Sequence, residues 1–172
     1  MHPPGISAKP HPKAAPETPA VPDLAIRPAT AADLPAVVAL LADDDLGRGR
    51  EDASLPLAQA YLDAFAAIER DPNHILSVAE RGGDVIGTLF LSFIPGVSRH
   101  GAWRGQIEAV RVARGAQGGG IGAMMLDWAI ARCREKGCAL VQLTSDKTRA
   151  DAHRFYERAG FTPSHTGFKL TL

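Results

Sequence analysis

A cluster of glycines between two apolar segments is the part of this chain best suited to chemistry. Five glycines fall within the eight residues from Gly115 to Gly122, after the strand-like segment VRV and before the helical pattern of MMLDWAIARC. Glycine lets the backbone approach a ligand closely, and the first N–H groups of a helix have no intrahelical partners. We therefore expect this loop to bind an anion, and a pyrophosphate suits it best.

The loop matches neither of the common nucleotide-binding signatures. It lacks the Gly-Lys-Ser or Gly-Lys-Thr sequence that a P-loop requires. The segments before it predict an antiparallel meander, whereas a dinucleotide-binding domain opens with a strand, a helix and a parallel strand. The expected phosphates therefore belong to a different ligand.

The first third of the chain predicts one strand and two helices. LAIRP, from Leu24, is typical of a short strand, and Thr30 is a suitable cap for a helix over residues 31–43. The polar segment 43–55 predicts a loop. Apolar residues then recur at helical spacing over residues 61–69.

The middle of the chain predicts an antiparallel sheet that leads into the glycine loop. Residues 74–80 and 85–94 are apolar-rich and flank a glycine turn, which is typical of a β-hairpin. Residues 103–112 alternate apolar and polar side chains closely enough to extend the sheet.

The last third predicts a crossover from strand to helix to strand. We expect a helix over residues 121–136, a buried strand over 139–144, a helix over 150–159, and last strands at Phe161 and at 168–172. The order of elements indicates a mixed α/β fold, with one parallel pair of strands at the crossover.

Composition limits the classes of function. Nineteen Lys and Arg residues balance nineteen Asp and Glu residues, which does not favour nucleic acid as a partner. No apolar run approaches the roughly 20 residues that span a membrane, so we expect a soluble, cytoplasmic protein without membrane contact. Seven of the thirteen prolines fall within residues 1–23, which predicts a disordered tail before a single domain over residues 24–172.

The two cysteines, Cys133 and Cys138, are too few for a disulfide framework. No second Cys or His pair at ligand spacing accompanies them, so we predict no metal site. No Ser, Cys or Lys stands in an arrangement typical of covalent catalysis.

Two motifs carry a resemblance to a known family. Gln117-x-x-Gly120-x-Gly122, preceded by Val110-x-Val112, resembles the pyrophosphate signature of the GNAT superfamily of N-acetyltransferases. DAHRFYERAGF, from Asp151 to Phe161, is similar to the second landmark of that superfamily. The resemblance covers about residues 24–172, and the segments around both motifs are similar to the aminoalkylphosphonate N-acetyltransferase branch.

The resemblance implies an α/β fold of α+β type. Its central sheet would be mixed but mostly antiparallel, with six to seven strands and about four helices. It also implies acetyl-CoA as cosubstrate. The residues expected to bind this coenzyme are Val110, Arg111, Val112, Gln117, Gly118, Gly119, Gly120, Ile121, Gly122 and Arg149. The family's asparagine after the fifth strand is missing from SDKTRADAH, and Lys147 or Arg149 is expected to replace it, although Arg149 could equally be a solvated loop charge.

Two further residues are candidates for catalysis. Glu108 is the only acidic residue between Asp84 and Asp127 and lies on the strand that leads into the phosphate loop. It is the candidate general base, acting directly or through a water; the alternative is a solvent-facing strand residue. The resemblance places Tyr156 near the coenzyme sulfur, where its phenol would protonate the thiolate; the alternative is a packed aromatic. Backbone N–H groups of Val110 to Val112 are the expected oxyanion donors.

The acceptor is the least constrained part of the hypothesis. Acidic residues between the first two helices favour a polyamine, an aminoglycoside or a peptide amine, whereas Arg48, Arg50, Arg99, His100 and Arg104 favour an amine that carries a carboxylate or phosphonate. We expect acetyl transfer to a small primary amine by direct attack in a ternary complex, since no residue is arranged for covalent catalysis. The alternatives are a protein or peptide N-acetyltransferase and a non-catalytic coenzyme A-binding module. Exposed edge strands at the C-terminus would allow a homodimer.

Overall fold

The computed structural model describes residues 23–43 and 49–172. Apart from Asp23, the tail predicted over residues 1–23 lies outside the described residues. Within the described part of the chain, no helix is both long enough and apolar enough to cross a membrane.

The described residues form five strands and five helices. The strands are β1 (Leu24–Pro28), β2 (His74–Arg81), β3 (Asp84–Ile94), β4 (Trp103–Val112) and β5 (Cys138–Leu143). The helices are α1 (Leu34–Ala42), α2 (Gln59–Arg70), the four-residue α3 (Ser98–Gly101), α4 (Ile121–Glu135) and α5 (Ala150–Arg158). Two short 3-10 turns, Ala31–Asp33 and Arg114–Ala116, precede α1 and the glycine loop.

The strands form one sheet in the order β1-β2-β3-β4-β5. The first four are antiparallel neighbours, and β4 and β5 are parallel, with α4 as the crossover between them. The predicted hairpin is present, and Gly82 and Gly83 lie between its strands with φ of 60° and 90°. Positive φ at both central residues is what a two-residue type I′ turn requires.

Helix α4 packs directly on the sheet. Its buried residues Met125, Leu126 and Ala129 share a core cluster with Leu89 and Leu91 of β3. A Cβ added to Gly105 of β4 would lie 2.3 Å from Sγ of Cys133, so only glycine lets α4 lie this close to the strand. This contact fixes α4, and therefore the loop before it, relative to β4.

The other face of the sheet packs against α1 and α2. Successive side chains on a strand point to opposite faces. Thr88 precedes Leu89 in β3, so its side chain faces away from the core cluster that contains Leu89. Its partner on β2 is Val78. Helix α1 contacts β3 and β4, and α2 contacts β2. The buried residues on these two helices include Val37, Val38 and Phe65.

The expectation of six to seven strands is wrong, because residues after Gly160 form no strand in the described chain. Phe161 instead packs edge-on against Tyr156, with ring centroids 6.1 Å apart. The segment from Phe168 onward alternates apolar and polar residues, but Phe168 and Leu170 are 94% and 85% exposed. Alternation satisfies the side-chain requirement of a strand, but a strand also needs a hydrogen-bonding neighbour, which this segment lacks within the described residues.

An ion-pair network joins the start of α1 to the edge of the sheet. The Arg27 guanidinium donates to both carboxylate oxygens of Asp33, at 2.8 and 2.9 Å, and to Glu80 on β2 at 2.6 and 2.9 Å. Asp33 is buried and also accepts from the N–H and hydroxyl of Thr30. Hydrogen bonding from Arg27 holds the pKa of Asp33 well below its usual range.

We predict that Asp33→Asn destabilises the fold by about 2 kcal/mol at pH 7, because it removes the charge of the acceptor that four donor groups of Arg27 and Thr30 share. The lowered pKa means that the carboxylate stabilises the fold above the pKa of the unfolded chain, about 4, and that this contribution is lost as pH falls further. Chemical denaturation at several pH values should therefore show a gap between wild type and variant that is constant from pH 7 to about 5 and narrows in acid.

The matched control is Asp84→Asn, since Asp84 is an exposed carboxylate on the same sheet. It should change the free energy of unfolding by less than about 0.5 kcal/mol. A gap for Asp33→Asn that does not narrow below pH 4 would contradict the role given to the network.

Candidate active site

Strand β4 extends beyond its pairing with β5. The parallel ladder runs from Trp103 opposite Cys138 to Ile107 opposite Leu143 and ends there. Strand β4 continues to Val112 and stays paired with β3 as far as Gly87. Within the described chain, residues 108–112 therefore have no strand partner on the β5 side. The carbonyls of Val110 and Val112 accept from the side chains of Arg111 and Gln117, and the other backbone groups that face the β5 side are available to a ligand.

A β-bulge accounts for the separation of the two strands. Phe90 pairs with Glu108 and Thr88 pairs with Arg111, so Leu89 alone lies opposite two residues of β4. One of those two, Ala109, has φ of 53°, in the left-handed region. A bulge bends its strand and increases the local twist, which turns the end of β4 away from β5.

A cavity of about 560 Å³ lies beside this end of β4. Its walls come from β4, the turn after it, the start of α5 and the end of α1. The lining residues are Leu40, Asp43, Val110, Arg111, Val112, Arg114, Gln117, Thr148, Arg149, Ala150, Asp151 and Ala152. Five of the residues predicted to bind the coenzyme are thus brought together here: Val110, Arg111, Val112, Gln117 and Arg149.

The charge of the cavity suits an anion. Its described lining holds three arginines and two aspartates. Asp43 is engaged by Arg114, whose Nε lies 3.1 Å from each carboxylate oxygen and whose Nη2 donates to the Asp43 carbonyl at 2.7 Å. The remaining balance is positive, and planar guanidinium groups match phosphate geometry.

The glycine loop lies next to the cavity and leads into α4. The side-chain amide of Gln117 donates to the carbonyl of Val112 at 3.1 Å, which ties the loop to the end of β4. Gly118 and Gly120 have φ of 81° and 79°, a conformation that other residues adopt only with strain. Gly120 is the N-cap of α4, and no side chain caps the helix there. The first N–H groups of α4 are therefore available to a ligand.

Two residues of the predicted coenzyme-binding set have a structural role. The side chain of Ile121 is 1% exposed and belongs to the core, so only its backbone can contact a ligand. A Cβ added to Gly122 would lie 3.2 Å from Cζ of Phe155, so this glycine permits the close approach of α4 and α5. Neither residue lines the cavity.

Tyr156 lies half-buried on α5, with its ring 5.2 Å from the ring of Phe155. Burial raises the pKa of its hydroxyl above the ordinary value, and the positive charges of Arg149 and Arg111 oppose that rise. Both arginines line the cavity, whereas Tyr156 itself is not part of the lining. At neutral pH the hydroxyl is therefore protonated and can donate a proton.

Glu108 is exposed and is the first residue of β4 after its pairing with β5 ends. It lies two residues before Val110, which lines the cavity. Glu108 itself is not part of the lining. Alternation along the strand places its side chain on the face opposite to that of Ile107, which packs against α4. The carboxylate is thus on the α1 and α2 side of the sheet, beside the end of the cavity.

The loop between α1 and α2 lies partly outside the described residues, including Asp44, Asp45 and Arg48 of the predicted acceptor-binding charges. The hydroxyl of Tyr61 on α2 donates to Glu51 at 2.9 Å and accepts from the N–H of Asp52 at 3.0 Å. Tyr61 therefore holds the end of this loop against α2.

The cysteines do not lie in the cavity wall. Cys133 is buried, and burial raises the pKa of its thiol to about 12, so it is a poor nucleophile at neutral pH. Among the described residues, no group of three or more His, Cys, Asp or Glu side chains could hold a metal ion.

Sequence reasoning missed part of the cavity wall. Arg114 lies between the end of β4 and the glycines. Its positive charge at that place could have predicted that it lines an anion site. Thr148 and Asp151 carry no such signal, because their place in the wall follows from the turn between β5 and α5. Lys147, expected as one replacement for the family's asparagine, is not part of the lining, whereas Arg149 is.

The chain is similar to known acetyltransferases. Residues 38–161 match the Acetyltransferase (GNAT) family. The chain is 38% identical over 114 residues to an aminoalkylphosphonate N-acetyltransferase of Salmonella typhimurium, an alignment that covers 66% of this chain and 73% of that protein.

Solved structures show the same fold. One is a protein of Bacillus halodurans C-125 described as a transcriptional regulator, with a TM-score of 0.85, 47% identity, and coverage of 87% of this chain and 99% of that chain. Another is an acetyltransferase of Trypanosoma brucei, with a TM-score of 0.71, 28% identity, and coverage of 87% and 100%.

The resemblance to this family in the sequence is confirmed, because the matched region extends from within α1 to Phe161, three residues after the end of α5, and includes both motifs. The similarity to the aminoalkylphosphonate branch is confirmed by the Salmonella relative. The chain therefore belongs to the GNAT family and is an N-acetyltransferase.

Proposed function

We propose that this enzyme transfers the acetyl group of acetyl-CoA to the primary amine of a small molecule, by direct attack while both substrates are bound. The observation that carries the proposal is the cavity where β4 leaves β5, because arginines and the end of β4 line it and Gln117 in its wall leads into the N-terminus of α4. GNAT enzymes use acetyl-CoA as acetyl donor, and a pyrophosphate suits the exposed N–H groups that follow Gly120.

Removal of a proton from the acceptor is the role of Glu108. An alkyl amine with a pKa near 10 is mostly protonated at pH 7, and each pKa unit corresponds to about 1.4 kcal/mol. The nitrogen needs a free lone pair to attack the thioester carbon. The Glu108 carboxylate, on β4 just before Val110, takes that proton directly or through a water.

Protonation of the leaving group is the role of Tyr156. When the nitrogen–carbon bond forms and the carbon–sulfur bond breaks, the electron pair of the broken bond leaves on sulfur. The hydroxyl of Tyr156, kept protonated by its half-buried position, supplies a proton to this thiolate. Backbone N–H groups of Val110 to Val112 stabilise the negative charge that develops on the carbonyl oxygen.

A small-molecule acceptor is supported by the Salmonella relative, whose name specifies an aminoalkylphosphonate. The Bacillus halodurans relative is described as a transcriptional regulator. The formal net charge of this chain is zero, which does not favour binding to DNA. A panel of amines, followed by release of free coenzyme thiol, tests the proposal. Release with a small amine supports it, and release only with peptides would contradict the acceptor class.

We predict that Glu108→Gln lowers kcat/KM for the amine by about 100-fold at pH 7, because the amide cannot accept the proton. The dissociation constant for acetyl-CoA, measured by calorimetry, should stay within about twofold of wild type. Glu69→Gln is the matched control, since Glu69 is an exposed carboxylate at the end of α2. Unchanged turnover in Glu108→Gln would remove this residue from the mechanism.

We predict that Tyr156→Phe lowers kcat by about 100-fold with little change in acetyl-CoA affinity, because the ring and its packing remain while the proton donor is lost. Since burial raises the pKa of Tyr156 above its ordinary value, the wild-type rate should not fall through loss of this proton donor between pH 7 and about 9. Steady-state rates of both proteins between pH 7 and 10 measure the two effects. A variant with wild-type kcat would show that the phenol does not take part.

A further inference from the structure

Arg114 and Asp43 form an ion pair in the wall of the cavity beside the end of β4. Nε of Arg114 lies 3.1 Å from each carboxylate oxygen of Asp43, and Nη2 donates to the Asp43 carbonyl at 2.7 Å. Asp43 is the C-cap of α1, where backbone carbonyls lack intrahelical donors and carry partial negative charge. Arg114 therefore binds two negative groups of one residue.

The backbone of Arg114 is fixed, whereas its side chain is not enclosed. The N–H of Ala113 donates to the carbonyl of Ile86 on β3 at 2.8 Å, and the N–H of Gln117 donates to the Arg114 carbonyl at 3.4 Å. The side chains of Arg114 and Asp43 are 56% and 50% exposed. Exposed ion pairs contribute little to stability, so this one is easily exchanged for another. The guanidinium can change its partner while the turn that carries it stays in place.

The position of the pair favours a phosphate as the second partner. Arg114 lies directly before the glycine loop, and it shares the cavity wall with Gln117 and Arg149. A carboxylate and a phosphate offer the same kind of charged oxygen to a guanidinium, which binds either of them through two donors. Because both groups are anions, they repel each other when they lie at the same guanidinium. The carboxylate of Asp43 thus occupies donors that suit a phosphate.

We propose that Asp43 competes with a phosphate of acetyl-CoA for Arg114 and thereby limits the affinity of the enzyme for its coenzyme. Before the coenzyme binds, the carboxylate holds the guanidinium. When the coenzyme binds, the guanidinium turns to the phosphate and the carboxylate is released to solvent. When coenzyme A leaves after acetyl transfer, the ion pair forms again. This inference rests on the proposed function, because it takes acetyl-CoA as the ligand of the cavity.

Calorimetric titration with acetyl-CoA tests the competition in wild type, in Asp43→Asn, in Arg114→Gln and in the double variant. Arg114→Gln should weaken binding about tenfold, because a charge-assisted hydrogen bond to the phosphate is lost. Asp43→Asn should tighten binding about fivefold, because the guanidinium no longer has to leave a carboxylate. In the Arg114→Gln background, Asp43→Asn should change the affinity by less than about twofold, since no guanidinium remains to compete for.

The double variant separates competition from a general effect of charge. Loss of any negative charge near the cavity favours anions, but that effect would tighten binding equally with or without Arg114. Asp84→Asn and Arg81→Gln are the matched controls, since they remove the same charges from exposed residues beside the hairpin turn. Both controls should bind acetyl-CoA with wild-type affinity.

Shortened coenzymes identify the phosphate that Arg114 binds. S-acetylpantetheine has no phosphate, so it should bind wild type and all three variants with the same affinity. Dephospho-coenzyme A keeps the diphosphate but lacks the 3′-phosphate. If Asp43→Asn tightens its binding as much as that of coenzyme A, the diphosphate is the partner. If only coenzyme A binds more tightly, the partner is the 3′-phosphate.

The outcomes separate this inference from the proposed function. Asp43→Asn that weakens acetyl-CoA binding or leaves it unchanged would overturn the competition, and so would equal tightening in the Arg114→Gln background. Each of these results leaves the proposed function intact, because wild type still binds the coenzyme. A wild-type protein that binds no acetyl-CoA would contradict the proposed function, and this inference with it.

Discussion

The loss of pairing between β4 and β5 after Ile107 is the constraint on which the rest of the site depends. In a continuous sheet, the backbone groups of residues 108–112 would bond to β5 and be closed to any ligand. The bulge at Ala109 turns the strand end away while β3 still holds its other edge. The backbone polar groups of a central strand are thus exposed, rather than those of a strand at the edge of the sheet.

Close packing sets where the second half of the proposed coenzyme site lies. Gly105 lets α4 approach β4 at Cys133, and Gly122 lets α5 approach α4 at Phe155. These contacts place the N-terminus of α4 and the start of α5 on either side of the end of β4. The glycine loop then combines two different requirements, since Gly118 and Gly120 serve backbone conformation and Gly122 serves packing.

The sequence predicted those features that depend on local residue type. The glycine turn of the hairpin, the crossover helix α4 and the loop ahead of it all carry their own signals. The strands after Gly160 were predicted wrongly, because alternation around Phe168 cannot show whether a neighbouring strand exists. The bulge could not be predicted either, since alanine at position 109 gives no sign of a positive φ.

The most direct test of the central claim is hydrogen exchange of individual backbone amides, followed by NMR with and without acetyl-CoA. The account predicts that the coenzyme slows exchange in residues 108–112 and in the loop from Gly118 to Gly122. Residues 103–107, already paired with β5, should be unaffected. Slowing that is absent from residues 108–112, or that extends equally along all of β4, would contradict the claim that the unpaired end of β4 binds the coenzyme.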